Sequence, residues 1–499
     1  MQQSVWLSHR EQTITNVLLV TTLTLGCLFH FLHIDVLPMG FYVDESSIGY
    51  NAYLISQTGA DEHGVRWPLY FQAFGEYKNP LYIYFLAGFY RLFGYSLWTT
   101  RALSGCCWLV GSLCLFLLVR RLFADSRTRI YVAICLAFTP WLFSLSRVSF
   151  EFLILYPLLA LHLLALYRGF EESSPRWALI SGVAIGLCLY AYTAFRLLAL
   201  LYTIAALLCY RSPRFRRAQI SFILGAGACA IPFAIYALRH FSNLTARFKA
   251  TSYLSDPTLS PLQKAALFVG HYASYFSPNF LALFGDTNRR HHTGFGGELL
   301  MTTVILLVIA VVLLIRDRGN RFKMYLLVGL LLTPIAAALT TQLYNSVRTF
   351  SMIAFALMLS AYGLRSLSPS VARGAVALTA LCAALYVAQY FYIYPPYSAV
   401  AFENYDFKGT LDEALSRSPT RVVLSSQGNQ PYINLLFFGS LAGTHVPLQI
   451  GSSDDVRPGD VYILYDTHRG PEGLYWIRGD TTKALTQRNQ LDQLQSDNN

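Results

Sequence analysis

Apolar residues along this chain gather into runs of lipid-spanning length, separated by short polar or basic connections. The runs lie near 13–34, 97–119, 129–146, 152–168, 177–193, 197–210, 218–238, 299–315, 324–340, 348–364 and 374–394. A bilayer core takes about 20 apolar residues per helix, so the pattern predicts about eleven transmembrane helices. The stretch 177–210 reads either as two spans or as one broken helix pair. The first run is long for a signal-peptide core and no small-residue cleavage site follows it, which predicts a retained first helix.

Three larger segments interrupt the runs: 35–96, 239–298 and 395–499. The last has short strand-like stretches at Arg421–Ser425, Tyr432–Phe438, His445–Ile450 and Val461–Tyr465, with polar turns between them. The expected fold is therefore an all-α polytopic membrane protein carrying a small C-terminal α/β extracytoplasmic domain. A transmembrane domain covers 1–396, with outer segments 35–96 and 239–298, and the small domain covers 397–499. The final twenty residues are polar and read as frayed. No internal repeat or low-complexity tract is visible.

Lys and Arg in short loops orient the helices. Five alternate connections are basic. They carry Arg120, Arg121, Arg127 and Arg129; Arg168 and Arg176; Arg211, Arg214, Arg216 and Arg217; Arg316, Arg318, Arg321 and Lys323; and Arg365 and Arg373. The other short loops carry only Arg147, Arg196 and Arg348. With Arg10 on the basic side, the N-terminus is expected to be cytoplasmic and the three larger segments exterior.

Composition agrees. The chain is 54% hydrophobic and 13% charged, against roughly a quarter charged in soluble domains. The net charge of +11 is dispersed between apolar runs, which fits cytoplasmic retention and argues against nucleic acid as a partner. All nine cysteines fall within or beside apolar runs, so neither a disulfide framework nor a zinc site is expected.

The first outer segment holds the candidate chemistry. Asp44-Glu45 opens a stretch with apolar residues at Ile48, Ala52 and Ile55 and a stop at Gly59, the pattern of a helix lying along the membrane interface. Asp44 reads either as the N-cap of that helix or as a carboxylate poised to take a proton from a hydroxyl. Glu76 and Lys78 precede Asn79-Pro80, a strong helix start. Lys78 is either an ordinary surface lysine or part of an anion site at that helix N-terminus.

Arg147, Arg196 and Arg348 sit where the positive-inside bias should deplete them. Each can snorkel to lipid headgroups, but guanidinium groups also suit phosphate oxygens. Glu151 follows Arg147 by four residues, the spacing of a helical ion pair. Asp286, Asn288, Arg289 and His291 form a polar cluster before the glycines 294, 296 and 297. His291 and His292 lack the spaced partner a metal site needs. Asp61, Glu62 and His63 read as a solvated turn or as a cation holder; the sequence assigns no cofactor and is compatible with a divalent cation.

Five stretches carry a resemblance. They are Asp44-Glu45 with Tyr50-Asn51-Ala52; Thr58 to Gly64 leading to Lys78-Asn79-Pro80-Leu81-Tyr82; Ser146-Arg147 with Phe150-Glu151; Tyr190-Ala191-Tyr192 with Arg196; and Tyr275 to Asn279 with Gly285-Asp286. On these residues the chain resembles the GT-C fold membrane glycosyltransferases of the protein O-mannosyltransferase and lipid A aminoarabinose transferase superfamily. The resemblance spans residues 41 to about 350 and is weak over the C-terminal domain. The family often has Lys-Pro-Pro where this chain has Lys78-Asn79-Pro80.

The resemblance implies an inverting transfer of a sugar from a polyprenyl-phosphate donor to an acceptor hydroxyl of a glycan, lipid or protein. The reaction would take place on the exterior face of the cell membrane. Asp44, with Glu45, would match the catalytic acidic position, and Lys78 would match a residue holding the donor phosphate. Arg348, Arg196 and Arg147 are further phosphate candidates. Glu76, Asp61, His63, Tyr192, Asp286, Asn288, Arg289 and His291 are candidates for substrate contact. A lipid-linked glycan ligase or polymerase would use similar arginines but predicts a long outer loop late in the helical part. A transporter predicts charges near helix midpoints and an internal repeat, neither of which is visible.

Overall fold

All eleven apolar runs fall on helical segments in the computed structural model, which describes residues 2–316, 319–426, 428–466 and 473–478. Arg318 and the polar tail 480–499 lie outside the described residues. Six helices among the described residues are long and apolar enough to cross a membrane: Gln12–Phe31, Leu97–Leu122, Glu151–Glu171, Pro213–Arg239, Arg321–Ala338 and Pro369–Tyr392. Pro175–Tyr190, Phe195–Cys209, Met301–Arg316 and Met352–Arg365 are shorter apolar helices. The remaining run, 129–146, is split at Pro140 into Ser126–Phe138 and Pro140–Leu145. A proline has no N–H to give and clashes with the preceding turn, so it starts a new helix there. The 177–210 stretch breaks near 188–194 into two helices.

The chain divides into two compact units. The first contains residues 1–34, 69–85 and 101–392. Its outward residues include Ile220, Leu224 and Ile231, which are apolar and exposed, as expected where lipid is the solvent. Small residues let helices close on one another. A Cβ on Gly182 would lie 2.0 Å from the Phe222 carbonyl oxygen, and one on Gly225 would lie 2.3 Å from that of Leu179. These glycines allow the Pro175–Leu187 and Arg216–Arg239 helices to pack backbone to backbone. His30 is fully buried, stacked on Trp108 at 3.6 Å, and bridges the Ser146 hydroxyl (2.7 Å) and the Ala137 carbonyl (2.8 Å).

The second unit contains residues 35–68, 86–100 and 393–499. Its four-stranded sheet has the order β4-β3-β5-β6, with β3 Val422–Ser425, β4 Leu448–Gly451, β5 Val461–Asp466 and β6 Gly473–Arg478. The hairpin β1 Phe71–Ala73 and β2 Glu76–Lys78 belongs to the first unit. β3 runs parallel to β4 and β5, while β6 is antiparallel to β5.

The stretch Tyr432–Phe438, expected as a strand, is instead part of the Pro431–Ala442 helix. Pro431 occupies its first turn and Gly443 ends it in the left-handed conformation at φ 61°. A short apolar run does not separate strand from helix by period alone, and the two helix-end residues decide it.

The Val43–Thr58 helix, which carries the acidic pair, packs against Pro431–Ala442 within this unit. Phe41 stacks on Phe437 at 5.0 Å, and the Ser46 hydroxyl donates to Asn434 Oδ1 at 2.7 Å. A Cβ on Gly49 would meet Phe437 Cε2 at 2.5 Å, and that ring is held by Phe41, Tyr95 and Phe438. Gly49→Val is therefore expected to overpack the seam and cost about 1–3 kcal/mol. A melting curve in detergent checks this; an unchanged melting temperature would mean that the Phe437 ring yields.

Candidate active site

In the first unit, the turn of the β1–β2 hairpin is Phe74-Gly75, both at positive φ, 56° and 76°. That turn suits the twist of a tight hairpin. It delivers Lys78, which is 5% exposed and whose ammonium lies 5.2 Å from the centre of the Phe74 ring. The next residue, Asn79, is fully buried and joins three elements. Its backbone N–H and side-chain amide both donate to the Glu151 carboxylate, at 2.6 and 2.8 Å. Its side-chain oxygen accepts from Arg196 Nη2 at 3.1 Å. Arg196 Nη1 donates to the Leu244 carbonyl at 2.6 Å, which ties segment 239–298 to the same knot. Helix Pro80–Phe93 begins at Pro80, as the sequence predicts. On the hairpin, Glu76 pairs with Arg247 at 2.9 Å.

A second polar knot forms around residues 286–298 and the turn that carries Arg348. Asp286 is 1% exposed and its carboxylate accepts from the N–H groups of Asn288 and Ser346, each at 2.8 Å, and from His291 Nδ1 at 3.0 Å. Burial alone would raise its pKa, but the His291 contact and the two N–H groups outweigh that and hold the group below the usual carboxylate range. Glu298 is fully buried; burial, with the Asp286 charge beside it, pushes its pKa well above the ordinary value. It accepts from the Asp286 N–H at 2.8 Å and from the Ser346 hydroxyl.

The turn held by Ser346 presents Arg348. The Arg348 N–H donates to Asn345 Oδ1 at 2.8 Å, and its Nη1 donates to Thr340 Oγ1 at 2.7 Å. His292 is buried and held neutral, its pKa lowered to about 4 mainly by that burial. Its Nδ1 accepts the Gly294 N–H at 2.9 Å. Arg289 Nη1 donates to the Thr293 carbonyl at 2.6 Å.

Tyr192 links the two knots. Its half-buried phenol lies in the fields of Arg348, Arg247, Glu151 and Glu76. Lys78 acts electrostatically on Glu151, and Tyr275 lies in the fields of Arg348, Asp286 and Tyr192. The first unit thus gathers Glu76, Lys78, Glu151, Tyr192, Arg196, Arg247, Asp286 and Arg348, which come from elements far apart in sequence.

Other expected site residues have different surroundings. Arg147 is fully buried, and its guanidinium donates to the Phe29 carbonyl and, at 2.7 Å, to that of Leu32, at the C-terminal end of the first helix. It also faces the rings of Phe143, Tyr390 and Phe391. The ion pair expected between Arg147 and Glu151 is replaced by these contacts and by the Asn79–Glu151 bonds. The chain leaves helix at Ser146 and re-enters only at Glu151, so four-residue helical spacing does not exist there.

In the second unit, Asp44 is half-buried in the first turn of its helix. It is not the N-cap, which is Tyr42. Glu45 is fully buried and reaches back to the Tyr42 N–H at 3.2 Å, completing the cap from the third helical position. Asp61 Oδ1 accepts the N–H groups of His63 and Val65, each at 2.9 Å, so it shapes its own turn. Asn51 and Glu62 exchange two hydrogen bonds, and His63 is exposed. Among the described residues, no group of three or more His, Cys, Asp or Glu is arranged to hold a metal ion.

Sequence reasoning missed Arg247, Glu298 and Ser346. Glu298 gives a signal, being an acid at the mouth of an apolar run directly after Gly296-Gly297. The others give none, because their roles depend on long-range packing.

Residues 77–236 match the model of the dolichyl-phosphate-mannose-protein mannosyltransferase family. No curated protein matches the chain. Among solved structures, the fold is similar to that of ArnT from Cupriavidus metallidurans bound to undecaprenyl phosphate. Identity is 12%, the TM-score is 0.56, and the match covers 89% of this chain and 92% of that one. The apo structure of the same protein gives a TM-score of 0.57 at the same identity and coverage. The chain is therefore a multi-pass membrane protein whose fold is similar to that of ArnT and whose residues 77–236 match the mannosyltransferase family model.

Proposed function

We propose that this protein is an inverting glycosyltransferase that moves a sugar from a polyprenyl-phosphate donor to an acceptor hydroxyl on the exterior face of the membrane. In this reading all eleven runs cross the bilayer, the N-terminus is cytoplasmic and residues 397–499 form an exterior domain. The observation that carries it is the convergence on Tyr192 of Arg348 and Arg247, with the buried Lys78 next to Glu151. Lys78 is buried and Arg348 half-buried, and cations drawn out of water in this way are costly unless they meet an anion. ArnT, on the same fold, has been crystallised with undecaprenyl phosphate, which supports a lipid phosphate as that anion.

The chemistry follows from the charges. As the bond from the sugar to the phosphate oxygen breaks, negative charge grows on the phosphate. Fixed positive groups stabilise that charge in a water-poor site. Lys78, Arg348 and Arg196 are assigned this role, with Tyr192 among them. Arg147 is left out because its Nη1 and Nη2 donate to the Phe29 and Leu32 carbonyls. Asp44 accepts the proton of the acceptor hydroxyl, whose oxygen attacks the anomeric carbon from the opposite side. One direct displacement inverts that centre, as in glycosidases that activate the attacking oxygen across the ring. Asp286 supports the Arg348 turn through Ser346, and Asn79 holds Lys78 and Arg196 in register.

Removing Lys78 tests the phosphate assignment. A hydrogen bond to a charged group contributes about 1.5–3 kcal/mol. Lys78→Ala is therefore expected to weaken binding of polyprenyl phosphate by roughly 10–100-fold. Titration of the lipid into purified protein reads this, and an unchanged affinity would remove Lys78 from the phosphate site.

A further inference from the structure

The Phe195–Cys209 helix carries Arg196 at one end and leads at its other end into a cleft that the proposed transfer does not use. Thirteen residues of helical rise separate Arg196 from Cys209, roughly 20 Å. The cleft has a volume of about 550 Å³ and is lined by Leu208, Cys209, Arg211, Ser212, Arg321 and Met324. It lies where four apolar helices end or begin: Phe195–Cys209, Arg216–Arg239, Met301–Arg316 and Arg321–Leu332. With these helices crossing the bilayer as proposed above, that is the depth at which phospholipid headgroups meet the protein.

We propose that this cleft binds the phosphate headgroup of an anionic phospholipid. Arg211 and Arg321 bring two guanidinium groups to it, and Ser212 adds a hydroxyl. Arg321 is held in place: its Nη1 donates to the Cys209 carbonyl at 3.4 Å and its guanidinium lies 5.2 Å from the centre of the Phe215 ring. Arg214 lies 4.6 Å from the same ring, which is buried. One aromatic ring therefore organises two cations beside the cleft.

The Arg321–Leu332 helix begins here and adds the positive end of its dipole. Among the described lining residues there is no carboxylate to neutralise these groups. The carboxylate of Glu171 is turned instead to the Tyr210 hydroxyl at 2.9 Å. Leu208, which is 61% exposed, and Met324 supply an apolar wall for the first carbons of an acyl chain. A basic pocket between helices at this depth is the setting in which anionic headgroups are held.

The test titrates dioctanoyl phosphatidylglycerol into delipidated full-length protein in a neutral detergent, with dioctanoyl phosphatidylcholine and inorganic phosphate as parallel arms. The double variant Arg211→Gln/Arg321→Gln is compared with Arg373→Gln, which removes a charge from a different basic connection. Melting curves confirm that both variants fold. The expected result is saturable phosphatidylglycerol binding, weakened about tenfold or more in the double variant and unchanged in Arg373→Gln. Phosphatidylcholine should bind more weakly, and inorganic phosphate at matched concentration should not displace the lipid. Equal weakening in Arg373→Gln would mean a diffuse basic surface and overturn the proposal. So would undiminished binding in the double variant, or full displacement by inorganic phosphate, which would mark a free-anion site.

Discussion

Asp44→Asn is expected to abolish measurable transfer, with turnover falling roughly 10²–10⁴-fold, the usual contribution of a positioned general base. Binding of polyprenyl phosphate should be largely spared, because that affinity is assigned to Lys78, Arg348 and Arg196. The neighbouring acid should behave differently. Glu45 is fully buried and accepts the Tyr42 N–H as part of the helix cap, whereas Asp44 is half-buried in the first turn. Glu45→Ala is expected to lower stability by about 0.5–2 kcal/mol through loss of that cap. Turnover by both variants and their melting curves separate the two roles. Normal turnover in Asp44→Asn would remove Asp44 from proton transfer.

Asp286→Asn and Glu298→Gln should have opposite effects. Asp286→Asn replaces one acceptor oxygen with an NH₂ group in a site where His291 and the N–H groups of Asn288 and Ser346 all donate. A donor then faces a donor, at a cost of about 1–3 kcal/mol. The Ser346 turn that presents Arg348 loosens as a result. Glu298→Gln keeps the oxygen that accepts from the Asp286 N–H and the Ser346 hydroxyl, so it should fold normally.

Because the folded-state pKa of Glu298 is raised, its contribution to stability is full below the unfolded value near 4.5 and is lost as pH rises toward the folded value. Glu298→Gln removes that loss, so the variant should gain on the native protein as pH rises from about 4.5 to 8. The depressed pKa of Asp286 works the other way: its contribution is present above the unfolded value near 3.8 and fades as pH falls through the folded one. Melting temperatures of both variants across that range check the signs. A Glu298→Gln variant that loses ground with rising pH would mean that Glu298 is ionised in the fold.

The helical part was legible in the sequence because lipid offers the backbone no hydrogen bonds. Each spanning stretch must satisfy its own, so hydropathy and helix coincide. The strand at Val461 was legible for the same kind of reason, a short apolar run between polar turns. The helix at Pro431–Ala442 was not, because the run Tyr432–Phe438 is too short for its period to separate strand from helix.

In the candidate site, Lys78 and Arg348 stood out by breaking the positive-inside pattern or by preceding a helix start. Their supports did not. Asn79 reads as an N-cap, yet its side-chain oxygen accepts from Arg196, 117 residues away in sequence. Arg147 and Glu151 have the spacing of a helical ion pair, but the intervening turn sends one to the first helix and the other to Asn79. Such partners are set by packing between distant segments, which leaves no local periodicity to read.

The most direct measurement offers the purified protein a panel of labelled polyprenyl-phosphate sugars together with cell-envelope acceptors, and follows both halves of the donor. With the right pair, one polyprenyl phosphate should be released for each sugar gained by the acceptor, and the new linkage should have the opposite anomeric configuration. Retained configuration, or tight donor binding with no sugar transferred to any acceptor, would contradict the proposed single displacement.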